Sequence, residues 1–250
     1  MTIMLIRHSR DSQWLSNSWL VADKPGGHAV LIDTGGPQQP LLAAIEEFSL
    51  TLTHVLNTHH HHDHVTFNKE WKQSFGCPVC AHHAEESLIP GFTQRLADGD
   101  EIRSGELVVR AMHIPGHTAG QLAFLINEKA VFTGDTLFRG SVGGTCAPGH
   151  TVFAELQHSI MDRLMTLPKQ TEVYPGHMEP TSVGREWEEN PFLRIWRGLE
   201  QSQKTPCTAF GKAAELLLRA PDYDGGTKCW VRFEDGREDV VPGSRVHDLS

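Results

Sequence analysis

The sequence predicts an α/β fold, an αββα sandwich in which two mixed β-sheets pack face to face with helices on the outer faces. Three observations lead there. Strand-like and helix-like segments alternate along the chain. They fall into two strand-rich halves, each with its own helices, and every sheet must bury a face against another layer. Polar clusters sit where strands stop: Asp33, His59 to His64, His117, Asp135 and His177. Loops at strand ends are where a rigid scaffold projects side chains into a shared cleft.

The elements follow in chain order. "MTIMLIRHSRDSQW" holds a short apolar run, but Arg7 and Arg10 follow it and no small-residue cleavage site is evident, so no signal peptide is read. "NSWLVAD" and "HAVLIDTGG" read as strands joined by the turn signal "KPGG". Pro40 opens a helix, "PLLAAIEEF", with Leu41, Ile45 and Phe48 on one face. "HVLNT" is a strand that runs into the histidine cluster. "VTFNKEWKQSF" is a helix stopped by Gly76, and "PVCAHH" is a short strand. In the second half, "ELVVRAMHI" and "QLAFLIN" are strands around "PGHTAG", and "KAVFTGDTLF" is a strand ending at Asp135. "FAELQHSIMDRLMTL" sets Phe153, Leu156, Ile160 and Leu164 at helical spacing. "TEVYPGH" is a strand ending at His177, "NPFLRIWRGLEQ" a helix, and "KCWVRFEDGREDVVPG" a hairpin turned by Asp235-Gly236. The expected organisation is a sandwich domain over residues 1–205 and a short C-terminal extension with a β-hairpin over 206–250.

Bulk numbers bound the function. A chain of 250 residues fits one large domain or two. A formal charge of −9 argues against a dedicated nucleic-acid binder, which needs a basic face. No segment approaches the roughly 20 apolar residues of a membrane span. Five cysteines, an odd number, read as reduced thiols in a cytoplasmic protein. Cys77 and Cys80 form a lone C-x-x-C, read as two half-buried strand residues. The expected partner is a small-molecule substrate; nothing in the sequence sets the oligomeric state.

The chemistry concentrates in "LNTHHHHDHVTF", with five histidines and one aspartate in six consecutive positions. In an extended segment alternate side chains point the same way, so His59 and His61 converge while His60 and His62 point elsewhere. If a helix starts near residue 63, Asp63 and His64 become neighbours. Imidazole and carboxylate are the usual ligands of zinc and iron. The directions of these four suit two ions better than one. An expression tag does not explain an internal cluster broken by Asp63.

"THHHHDH", "PGHTAG", "FTGDTLF" and "YPGH", with "VLIDTGG" ahead of them, resemble the metallo-β-lactamase superfamily in order and context. Within it, the chain looks most like the glyoxalase II (hydroxyacylglutathione hydrolase) type of enzyme. The resemblance spans roughly residues 17 to 200. It implies that His59, His61 and His117 bind one metal, that Asp63, His64 and His177 bind a second, and that Asp135 bridges both. Asp63 and Asp135 are thereby placed at the reacting centre. It implies that Asp33 supports a ligand histidine from behind, unless it is only a turn residue in "DTGG". The cofactors implied are two divalent ions, zinc first, with iron or manganese as alternatives.

With two divalent ions, two carboxylates and a bridging hydroxide, such a centre stays net positive and suits an anionic tetrahedral intermediate. A metal-bound hydroxide would be the nucleophile, since metal can lower the pKa of water to about 7. No G-x-S-x-G elbow competes with it. The site offers no strong general acid, which favours good leaving groups such as a thiolate. A thioester or ester is the expected substrate. Departures from glyoxalase II are visible. The run "DTLFRGSVGGTCAPGH" holds Arg139, a candidate substrate contact, but no tyrosine or lysine, and the usual helical C-terminal glutathione domain is absent or reduced. In the same run Arg139 or His150 would meet a substrate carboxylate, if its glycines let the backbone approach a ligand rather than forming a plain loop. The rival readings are a mononuclear iron persulfide dioxygenase, which would use His59, His117 and Asp135, and a lactonase.

Overall fold

The structure is a computed structural model that describes residues 4–249. The chain forms two compact units. One holds the residues up to His113 together with Gly120–Gly134 and Gly176–Met178; the other holds Ile114–Ala119, Asp135–Pro175 and the residues from Glu179 onward.

In the first unit, strands β1 (Leu5–Arg10), β2 (Asn17–Ala22), β3 (His28–Ile32), β4 (Thr51–Leu56), β5 (Val79–His82) and β6 (Gln94–Leu96) lie side by side in that order. β1, β2 and β3 pair antiparallel, whereas β3 to β6 pair parallel. Parallel strands need crossovers. Helix α1 (Gln39–Glu47) makes the first, and α2 (His62–Val65) with α3 (Asn68–Phe75) makes the second. α1 carries its proline at the start, and α3 ends at Gly76, whose φ of 65° glycine adopts with no Cβ to clash. Leu41, Ala44 and Ile45 of α1 and Trp71 of α3 share one buried cluster with Leu20, Leu31, Val55 and Val79 of the sheet. Burying an indole such as Trp71 removes about 200 Å² of surface, at most about 5 kcal/mol of driving force.

β7 (Glu101–Ser104), β8 (Leu107–His113), β9 (Leu122–Ile126) and β10 (Ala130–Gly134) form an antiparallel meander. Trp19 of β2 meets Phe132 of β10 edge-on at 6.2 Å, so the two sheets of this unit face each other. Mixed sheets with helices are the expected α/β class.

The second unit contains the two-residue strands β11 (Leu137–Phe138) and β12 (Ser141–Val142), then α4 (Phe153–His158). The single helix expected over "FAELQHSIMDRLMTL", Phe153 to Leu167, changes character. α4 widens into a π turn over Ser159–Arg163 and tightens to a 3-10 turn over Leu164–Thr166. All four apolar residues still reach the core. β13 (Glu172–Pro175) pairs with β14 (Thr181–Ser182). α5 (Val183–Glu189) follows, and α6 (Pro191–Trp196) is capped by Asn190, whose Oδ1 accepts from the Phe192 N–H at 3.1 Å.

The C-terminal residues hold more than a hairpin. β15 (Thr205–Ala209), β16 (Lys212–Pro221), β17 (Thr227–Phe233), β18 (Glu238–Pro242) and β19 (Val246–Asp248) form a five-stranded antiparallel sheet in the order β18-β17-β16-β15-β19. Its core is Cys207, Leu216, Cys229, Val231, Phe233, Val241 and Val246. The sequence pattern exposes only β17 and β18. β16 hides behind the helix-favouring "KAAELLL", and its register slips between Leu216 and Leu218, which breaks the two-residue period. Among the described residues, no helix is long and apolar enough to cross a membrane.

Candidate metal centre

In the first unit, parallel β3 and β4 stop at the same edge of their sheet, so the segments after Ile32 and Leu56 emerge side by side. Asp33 takes a left-handed backbone, φ 57°, and is buried. Its Oδ1 accepts the Thr58 N–H at 2.8 Å. Its Oδ2 accepts the Thr58 hydroxyl at 2.8 Å and faces His64 Nδ1 at 2.9 Å. Strain of this kind persists only where surroundings over-determine it. Gly35 lets α2 sit against this turn, since a Cβ there would fall 1.4 Å from the Asp63 carbonyl oxygen. The far side is held by Asn68, whose amide donates to Asn57 Oδ1 at 2.8 Å while its Oδ1 accepts the Thr34 hydroxyl at 2.8 Å.

These contacts fix tautomers. A carboxylate oxygen accepts, so Asp33 keeps a proton on His64 Nδ1, and in the neutral ring the lone pair is then on Nε2. The Thr58 hydroxyl gives its proton to Asp33, so its oxygen accepts from His59 Nδ1 at 3.0 Å. His59 Nε2 therefore also carries a lone pair, and it lies 3.0 Å from His61 Nδ1. Asp63 Oδ2 is 3.4 Å from His64 Nε2 and 3.5 Å from His177 Nε2. Four donors about 2.1 Å from one tetrahedral ion lie roughly 3.4 Å apart, so this spacing suits a shared cation. Asp63, His64 and His177 present ligand atoms within 4.8 Å of one another.

His177 reaches this cluster from the end of the 172–177 segment. The Gly176 N–H donates to the Gly134 carbonyl at 2.9 Å, and the Gly176 carbonyl accepts from Asn17 N at 2.7 Å. The Met178 carbonyl accepts from Arg10 Nη2 at 3.0 Å and Asn17 Nδ2 at 2.9 Å.

His60 points away from this group, as alternation requires. Its backbone N–H donates to Glu85 Oε2 at 3.0 Å, its ring Nδ1 also meets that oxygen, and Glu85 Oε1 accepts the Gly120 N–H at 2.8 Å. His62 is exposed. Glu85 carries one signal in the sequence, its place just past a strand end, like the ligands.

In the second unit, His117 Nδ1 lies 2.9 Å from the Gly144 carbonyl, which can only accept, so His117 Nε2 also carries the lone pair. That nitrogen is 3.6 Å from Asp135 Oδ2. Gly143 crosses so close to Asp135 that a Cβ would meet its carbonyl oxygen at 1.9 Å. The glycine run thus serves an approach of backbone to backbone. Arg139 stands half-buried at the β11–β12 turn, and His150 is exposed with Nδ1 donating to the Thr151 carbonyl at 2.7 Å. Cys77 and Cys80 are buried. Burial raises both thiols, Cys80 to about 12, so they remain protonated packing residues.

The structure therefore brings together His59, His61, Asp63, His64 and His177, with Asp33 behind them, in one unit, and His117 with Asp135 in the other. The donor set, neutral imidazoles and carboxylates, fits zinc, iron or manganese.

Comparison with known proteins bears on the same residues. The family model of the metallo-beta-lactamase superfamily matches residues 12–177. A hydroxyacylglutathione hydrolase of Pelagibacter ubique is 36% identical over 179 residues, covering 71% of each chain. One from Rhizobium johnstonii is 32% identical over 247 residues, covering 82% of this chain and 93% of its own. Among solved structures, ETHE1 from Myxococcus xanthus gives a TM-score of 0.68 at 31% identity, over 80% of this chain and 92% of its own. TTHA1623 in a di-iron-bound form gives 0.64 at 32%, over 75% of this chain and 100% of its own.

Proposed function

The chain belongs to the metallo-beta-lactamase superfamily, and from that premise we propose that it is a binuclear metal-dependent hydrolase that cleaves a thioester or ester of a small molecule. His59, His61 and His117 would hold one divalent ion and Asp63, His64 and His177 the other, with Asp135 as a ligand shared between them. The observation that carries the reading is the Asp33–Thr58–His59–His64 network, which turns the Nε2 lone pair of neutral His64 toward the Asp63 carboxylate and that of neutral His59 toward His61.

Bound ions would supply Lewis acidity and a water ionised near neutral pH. The chain's own residues do the rest. Asp33 and Thr58 hold two imidazoles in one tautomer and orientation, and Gly144 does the same for His117. Asp63 and Asp135 offset part of the ionic charge and leave the centre positive toward an anionic transition state. No side chain in the group serves as a strong acid, so the leaving group departs as its own anion, which a thiolate does readily. Arg139 contacts the acid group of the substrate. The hydroxyacylglutathione hydrolase relatives support this substrate class, and the di-iron-bound relative keeps iron beside zinc as the resident metal. The five free cysteines fit a cytoplasmic setting, and residues 1–205 form the sandwich domain with 206–250 as its C-terminal extension.

Metal analysis with a thioester assay tests it. Two equivalents of metal with thiol release are expected, and Asp135→Ala should weaken both equivalents. One equivalent of iron with oxygen uptake on a persulfide would replace the hydrolase with the oxygenase, and turnover confined to lactones would replace the substrate class.

A further inference from the structure

Resting on the reading of His117 as a metal ligand, we propose that the C-terminal sheet is a working part of the metal centre: β18 aims His117 through a single peptide group, with Thr145 and Asp239 as positioning residues. The peptide joining Gly144 to Thr145 has a partner on each side. Its carbonyl accepts from His117 Nδ1 at 2.9 Å, and its N–H donates to the Val240 carbonyl at 2.9 Å. A trans peptide is planar, and its C=O and N–H point in opposite directions. One rigid plate therefore joins the imidazole to the β18 backbone.

Two hydrogen bonds alone would let the plate pivot about the line between them. The Thr145 side chain removes that freedom. Its Oγ1 accepts the Val240 N–H at 2.9 Å and donates to Asp239 Oδ1 at 3.1 Å. Thr145 thus meets Val240 through both backbone groups, as a neighbouring strand would, on β18, an end strand of its sheet. Thr145 is fully buried and Asp239 5% exposed, so these bonds act in a low-dielectric setting where each polarises the next. Arg237 pairs with the other Asp239 oxygen. Gly143, pressed against the Asp135 backbone, anchors the near end of the same loop. An imidazole free to rotate would lose orientational freedom on metal binding; one already aimed does not. Removing such supporting partners typically weakens metal affinity 10–100-fold.

Thr145→Val keeps the shape and the N–H and deletes only the hydroxyl. Zinc affinities are read stepwise against a chromophoric chelator, with the cobalt-substituted spectrum and the metal-free Tm alongside. Thr145→Val should weaken one of two equivalents about 10-fold or more and alter the cobalt spectrum, and Thr145→Ser should restore both. Asp239→Leu should match Thr145→Val, whereas Asp239→Asn, which keeps an acceptor, should stay near wild type; this pair decides the matter if Thr145→Val does not fold. Val246→Ala, in the core of the sheet on β19, the edge opposite β18, should lower Tm without moving either affinity. Unchanged zinc affinities in Thr145→Val and Asp239→Leu, or losses equal to those of Val246→Ala at matched Tm, would overturn the inference and leave the metal centre standing. A wild-type chain that takes up no metal would sink the centre itself, and the inference with it.

Discussion

Asp33 acts on two histidines at once, directly on His64 and through Thr58 on His59. Asn is at ease in the left-handed region that Asp33 occupies, so Asp33→Asn tests the charge and not the backbone. It is expected to weaken metal affinity roughly 10–100-fold with a small change in Tm; equal affinity by chelator competition would show that the carboxylate is only a turn residue. His60 and His62 make the opposite case. His62→Ala should change neither metal content nor Tm. His60→Ala should keep the metals while costing about 1–2 kcal/mol in denaturant unfolding, because buried Glu85 loses a partner. Metal depletion as deep as that of His59→Ala would contradict the alternation. That alternation is legible in the sequence, as is each imidazole and carboxylate of the group. Glu85 and the Gly144 carbonyl are not, since a residue that works by holding another carries no spacing signature, and a backbone oxygen carries none at all.

At the scale of elements, α2 is four residues long and yet presents two candidate ligands. So short a helix has little stability of its own, and it stands because Gly35 lets it lie on the turn after β3. Gly35→Ala should displace it and cost on the order of 3 kcal/mol, seen as a lower Tm together with lost metal; a wild-type Tm would mean the turn can yield. Most strands are readable because their apolar runs are bounded by Gly, Pro and Asp. In the C-terminal sheet β15, β16 and β19 are not, β16 for its helix-like composition and β19 for its three residues. The π turn after α4 is invisible for a different reason: an apolar stripe has the same spacing on either side of it.

Across the whole molecule, acid sensitivity has an identifiable source. His82, buried beneath His113 in a parallel stack at 4.2 Å, is pushed down to about 4, first by burial and then by the neighbouring His113 and His83, with Glu85 and Asp98 opposing. Its folded pKa lies below the unfolded one. The stability it contributes is therefore complete above about pH 6.5 and drains as pH falls toward 4, where the unfolded chain takes up the proton. In chelator-treated protein, His82→Gln should flatten urea stability against pH across that window. An unaltered slope would remove His82 from the account.

The bonds from Arg10 and Asn17 to the Met178 carbonyl tie together residues 168 and 161 positions apart. During synthesis, the first strands must wait for nearly three quarters of the polypeptide before the pocket around Asp63 has its last wall. A nascent chain cannot complete the Asp63, His64 and His177 group early; maturation is a late, long-range event, and a chain truncated ahead of this point would have the histidine run in place but no grip.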